Sequence, residues 1–161
     1  MSAIGTLSAA TLMTATTGVI ECMVLSVVEG QLLLPLVNII DQTQAPQLVR
    51  PKRAANWFLG SVKWRELDVP VVSFEVLNQR PVAPKIQHIV ILQAVHSPGS
   101  GYYGIGLQSV PRTADIRLNG LEDLLEWQDR LGPVESLAVR WQGEMLVIPN
   151  LEAIEKILMQ E

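Results

Sequence analysis

The chain is built from short apolar runs of strand length, each ending at residues that form turns. Met23-Val24-Leu25-Ser26-Val27-Val28 stops at Glu29-Gly30, and Gln31 to Ile40 resumes the run, as in a hairpin. Trp57 to Trp64 and Val69 to Phe74 flank the polar turn Arg65-Glu66-Leu67-Asp68. His88 to Val95 and Tyr102 to Val110 flank Ser97-Pro98-Gly99-Ser100-Gly101, made almost wholly of turn formers. Ser136 to Trp141 and Glu144 to Ile148 bracket Gln142-Gly143, a two-residue hairpin turn. Strands at this spacing predict a mainly β domain, a barrel or a sandwich. Pro35, inside the second run, predicts an edge position or a bulge. Asp41 to Pro51 and Arg80 to Lys85 read as connections, since Pro81 and Pro84 have no N–H to donate.

Two segments have helical spacing. Asn119 and Glu122 have the form of a capping box, and Leu121, Leu124, Leu125 and Leu131 follow until Gly132-Pro133 stops them. The second begins after Pro149-Asn150, with Leu151, Ile154, Ile157 and Leu158 on one face and Glu152 four residues before Lys156.

A chain of 161 residues predicts one domain with a sizeable core. Hydrophobic residues make up 48% and charged residues 17%, against roughly 25% charged in average domains. That balance excludes a disordered body, and 12 basic against 16 acidic side chains exclude a basic nucleic-acid footprint. Residues 1–19 carry no charge and are rich in Ala, Thr and Ser. They lack the positive region of a signal peptide and the apolar length of a membrane span, so they read as a flexible leader. Cys22 is the only cysteine. It excludes an intrachain disulfide, and its apolar surroundings predict a small buried hydrophobe in a reducing, cytoplasmic setting.

Enzyme signatures fail on context. Gly99-Ser100-Gly101-Tyr102-Tyr103-Gly104 spells the dinucleotide fingerprint, but a strand follows where a helix is needed. His88 and His96 sit at opposite ends of one predicted strand with no cysteine nearby, short of a zinc ligand set. Glu122-Asp123 and Glu126-Asp129 fall opposite the leucines and read as a solvated face. No cofactor or metal is expected. The informative stretch is Trp57 to Phe74, where aromatic residues lie beside Lys63 and Arg65, the residue types concentrated at interface hot spots.

That stretch carries a family resemblance. GSVKWRELDVPVVSF resembles the G-v-i-N-L-R-G-x-v-v-P-V-I-D-L signature of CheW-like domains, the scaffold proteins of bacterial chemosensory arrays. Gly60 takes the place of the first glycine, Arg65 of the arginine and Pro70 of the proline. The flanks follow in order: Leu33 to Val37 resembles the early "y-g-l-P-i…V" strand, and Gly104 to Val110 the "g-l-v-V-D-s-V" strand. Gly143 to Ile148 resembles the final strand before the closing helix. The second glycine is replaced by Glu66, the Asp by Ser73, and the Asp of the last strand within Pro149-Asn150. Ile39 stands where the family has an acidic residue, with Asp41 close by. These departures resemble the short CheW-like accessory proteins of type IV pilus (twitching motility) systems more than a flagellar CheW.

The resemblance implies that residues 20–161 form a CheW-like domain of two intertwined, five-stranded, SH3-like β-barrels, with one or two short helices near the C-terminus. It implies a non-enzymatic adaptor joining chemoreceptors to a CheA-type histidine kinase. One surface would meet the kinase's regulatory domain and another the chemoreceptor's cytoplasmic tip, with no nucleic acid and no direct membrane insertion. Arg65 takes the receptor-contacting position and Val37 the receptor-facing valine. Lys63, Trp64 and Asp41 complete the candidate partner-binding set. The competing expectation is a small β-barrel enzyme or ligand-binding domain using Cys22 or His88 in a pocket.

Overall fold

The computed structural model describes residues 18–28, 30–45, 48, 50–80, 85–94 and 101–160. The first hairpin pairs β1 (Val19–Val27) with β2 (Gly30–Pro35), and a 3-10 turn over Leu36–Asn38 leads into β3 (Ile39–Gln44). The second pairs β4 (Phe58–Trp64) with β5 (Leu67–Val72), followed by the one-turn helix α1 (Phe74–Leu77). β6 (His88–Gln93) and β7 (Tyr102–Leu107) make the third. Then come β8 (Arg112–Arg117), the two-residue β9 (Glu122–Asp123), the hairpin of β10 (Glu135–Trp141) and β11 (Glu144–Pro149), and helix α2 (Leu151–Met159). Asn150 caps α2, its side-chain oxygen accepting a 3.0 Å bond from the Ala153 N–H.

The strands form two sheets, ordered β8-β1-β2-β11-β10-β9 and β3-β6-β7-β5-β4. The middle of the chain builds the five-stranded sheet, and both ends build the six-stranded one. The first hairpin is held between β8, antiparallel to β1, and β11, parallel to β2 at Leu32 and Val147. This pairing across the ends interlocks the two units.

Face alternation sorts the core into three parts. Met23, Leu25, Leu32 and Leu34 point one way and pack with Val90, Leu92, Tyr103, Ile105, Ile154 and Leu158 in a core shared by both sheets and α2. Ile20, Cys22, Val24 and Leu33 point the other way and pack with Ile116, Val139 and Leu146 of their own sheet. Val62, Trp64, Val69, Val71, Ile89 and Ile91 do the same within the five-stranded sheet. Residues on one face of a single sheet bury one another only if the sheet curls, so each sheet wraps around a small private core. The fold class is therefore mainly β, with two intertwined units. The curl stops short of continuous backbone closure, leaving β3 and β4 at the margins of one sheet and β8 and β9 at those of the other.

Several elements differ from the sequence reading. The predicted helix through Leu121–Leu131 is instead a 3-10 turn (Leu118–Gly120), β9 and a second 3-10 segment (Leu125–Arg130). The Leu124 N–H bonds to the Ala138 carbonyl at 2.9 Å, so pairing with β10 overrides the leucine spacing. Asp41 lies in β3 rather than in a connection, and β8 is a strand the sequence reading lacked. Pro35 ends β2 in the interior of its sheet, in register with Cys22, where the chain leaves for the other sheet. The expected flexible leader, residues 1–19, lies mostly outside the described residues, as do His96 and residues 81–84 of the Arg80 to Lys85 connection.

Candidate functional site

The β4–β5 hairpin turns on two residues only, Arg65 and Glu66, with φ of 50° and 65°. Both lie in the left-handed region that a tight hairpin turn requires, which aims the Arg65 side chain outward into solvent. The turn places Lys63 opposite Asp68, and these exposed side chains form a 2.9 Å ion pair. Upstream, Gly60 has φ 138° where the β4–β5 register shifts, a bulge that only glycine enters without strain.

Trp64 points inward from β4 and is buried in the private core of its sheet, edge-on to Tyr102 with ring centroids 4.9 Å apart. Its indole N–H donates a 2.8 Å bond to Asp41 Oδ2 on β3. β3 and β4 are the two margins of the five-stranded sheet, so this side-chain bond spans the seam that backbone pairing leaves open. The Arg65 guanidinium lies over the Trp64 ring, 4.4 Å from its centroid. The Trp64 bond, the Gln42 N–H and then the Arg65 charge hold the Asp41 carboxyl below the usual carboxylate range.

The structure thus joins Asp41, Trp64 and Arg65 in one cluster and ties Lys63 to the same hairpin. Val37 stands apart on the Leu36–Asn38 turn, 55% exposed, on the segment that feeds β3. Two partners escaped the sequence reading, Asp68 and Tyr102. Placing the turn at Arg65-Glu66 alone would have revealed the first, because a two-residue turn sets Lys63 opposite Asp68. The stacking of Trp64 on Tyr102 joins residues distant in sequence and left no local signal. Trp57 and Phe74, singled out with the cluster, pack against the shared core instead.

The residues of the competing expectation are placed differently. Cys22 is buried, and burial followed by the Asp115 charge pushes its thiol up to about 12, so it stays protonated and is a poor nucleophile. It lines an apolar recess of about 10 Å³, room for roughly one water molecule. His88 is a half-buried residue of β6 paired with Gln44 and Leu107. Among the described residues no three His, Cys, Asp or Glu side chains come together as a metal site. Tyr102 to Gly104 of the glycine motif lie in strand β7. A separate cleft of about 60 Å³ lies between β2, β11 and the Leu125–Arg130 turn. Its buried Glu75 carboxylate already accepts bonds from the Val28 N–H at 2.7 Å and the Ser73 hydroxyl at 3.1 Å.

Two interleaved, curled sheets thus share a core, and the Arg65 hairpin faces solvent at the margin of one of them. The fold is that of the scaffolding protein TtCheW from Thermoanaerobacter tengcongensis. The two chains superpose with a TM-score of 0.67 at 14% identity, over 81% of this chain and 88% of that one. The CheW-like domain matches residues 21–157, and the chain belongs to that family of chemotaxis scaffolds. No curated protein matches the chain in sequence. Among the described residues, no helix is long and apolar enough to cross a membrane.

Proposed function

We propose that this chain is a non-enzymatic, cytoplasmic adaptor that couples chemoreceptors to a CheA-type histidine kinase. Its closest functional setting in this reading is a type IV pilus (twitching motility) system. The observation that carries it is the outward Arg65 at the β4–β5 turn, in a chain that matches the CheW-like domain over residues 21–157. Arg65 contacts the receptor's cytoplasmic tip, and Val37 adds an exposed apolar contact. Lys63, Trp64 and Asp41 support the same surface. An adaptor without chemistry acts by differential binding, favouring one kinase–receptor geometry over another.

Three measurements test this. Arg65→Ala is expected to weaken co-sedimentation with receptor-containing membranes about tenfold, in the range of an interface hot spot. Its melting temperature should stay near that of the parent, since the side chain is exposed. Unchanged co-sedimentation would remove Arg65 from the site. Isothermal titration against the kinase's regulatory domain is expected to show binding without nucleotide, and absence of heat with the cognate kinase would overturn the coupling role. Deleting the gene is expected to impair twitching and spare swimming; the opposite pattern would move the protein to a flagellar system.

A further inference from the structure

The Arg65 hairpin has two left-handed residues and no turn glycine, so the backbone alone presents the guanidinium on a short, exposed loop. What fixes it is the chain of contacts behind it. Asp41 Oδ2 accepts from the Trp64 indole at 2.8 Å, and the Trp64 ring carries Arg65 at 4.4 Å from its centroid. The Trp64 ring is itself fixed, because it is buried and stacks edge-on against Tyr102 at 4.9 Å. A buried ring with its one polar atom bonded has a single orientation, and the cation above it inherits that orientation. Asp41 lies 24 positions before Arg65, on the opposite margin of the sheet, so its position depends on the sheet having curled.

We propose that Asp41 and Trp64 are positioning residues, which set the direction and charge environment of the Arg65 guanidinium before a partner arrives. The assignment deepens the adaptor reading and rests on it for the identity of the partner, though not for the geometry. Pre-ordering a long, rotamer-rich side chain removes part of the entropy lost on binding, so the cluster raises affinity without any contact by Asp41. The Asp41 charge also draws the guanidinium toward the ring, whereas Lys63 is already committed to Asp68 at 2.9 Å.

The test has two arms. In the free protein, NMR of the Arg65 side chain is expected to show Hδ and Hε shifted upfield by the Trp64 ring current. Trp64→Leu should abolish that shift, Asp41→Ala should reduce it, and Asp41→Asn, which keeps an acceptor for the indole, should restore most of it. Random-coil Arg65 shifts in the parent protein, or no change in Asp41→Ala, would overturn the proposal. In the second arm, binding to a soluble chemoreceptor cytoplasmic fragment from the same organism is measured in a double-mutant cycle. Asp41→Ala is expected to cost three- to tenfold in affinity in the parent background and under twofold in the Arg65→Ala background. An equal loss in both backgrounds would show that Asp41 acts independently of Arg65, overturning the proposal while the adaptor reading stands. An Arg65→Ala variant that binds like the parent would overturn the receptor-contact reading, and the NMR arm would still decide the positioning.

Discussion

Cys22 shows how a single residue separates two functional classes. Its thiol sits among Ile20, Val24, Leu33 and Ile116, and burial raises its pKa from 9.0 to about 12. The thiol is more easily ionised in the unfolded chain, so Cys22 favours the folded state fully below pH 9.0, and that contribution is lost as pH rises toward about 12. Stability is therefore expected to fall through that alkaline window, by up to about 1.4 kcal/mol per pH unit. Cys22→Ala should flatten the slope in urea titrations at stepped pH, and an unchanged slope would assign the alkaline loss to other groups. Native Cys22 should also resist thiol reagents at pH 8, reacting only as the chain unfolds. Two departures from the family signature have a physical reading at this scale. Ser73 accepts from the Val76 N–H at 3.2 Å and caps α1, and Asn150 caps α2. The resembled signature has Asp at the place of Ser73 and within Pro149-Asn150, and Ser, Asn and Asp are near-equivalent caps. Both side chains supply the capping acceptor that an Asp would also supply.

Glu66 is a different kind of departure, because it acts on an element. Its φ of 65° places a Cβ-bearing residue in the left-handed region, next to Arg65 at 50°, where a hairpin turn favours glycine in second place. Glu66→Gly is expected to stabilise the β4–β5 hairpin by about 0.5–1 kcal/mol, the relief of left-handed strain less the added freedom of the unfolded chain. Chemical denaturation checks this, and a loss of stability would mean that the Glu66 side chain makes a compensating contact. Arg65 presentation should survive, since Asp41 and Trp64 hold it. Elements buried on both faces, such as β1, β2, β6 and β11, were legible in the sequence as continuous apolar runs between turn residues. Of the marginal strands, β4 was legible, whereas β3, β8 and β9 were not. β3 (IIDQTQ) and β8 (RTADIR) each turn one face to solvent, and their polar alternation reads as a connection. The Leu121–Leu131 segment failed for the opposite reason. Leu124 is buried and Leu125 is 69% exposed, although both fit one helical stripe. Of the site, Arg65, Trp64 and Lys63 were legible as neighbours at one turn. The Asp41–Trp64 bond depends on sheet curl, and local spacing does not encode it.

At the scale of the whole molecule, the low charge and high apolar content follow from three cores where an ordinary sandwich has one. Neither sheet can stand alone. The face that the five-stranded sheet contributes to the shared core includes Val72, Val90, Leu92, Tyr103, Ile105 and Leu107, all buried. Exposing these six at about 1.5–3 kcal/mol each costs about 9–18 kcal/mol, as much as the roughly 5–15 kcal/mol that stabilises a whole domain. The six-stranded sheet adds a topological reason, since β1 and β2 are held between β8 and β11, elements made only after the five-stranded sheet has been traversed. The molecule is therefore expected to unfold in one transition, with tryptophan emission and far-UV circular dichroism superimposing. Leu25, 0% exposed at the centre of the shared core, provides the mutational test. Leu25→Ala should cost about 2–5 kcal/mol. The loss should accelerate amide exchange equally in β6 of one sheet and β10 of the other, because both strands open only when the shared core does. Exchange that speeds up in β10 while β6 keeps its protection would show two separable units joined by a weak interface.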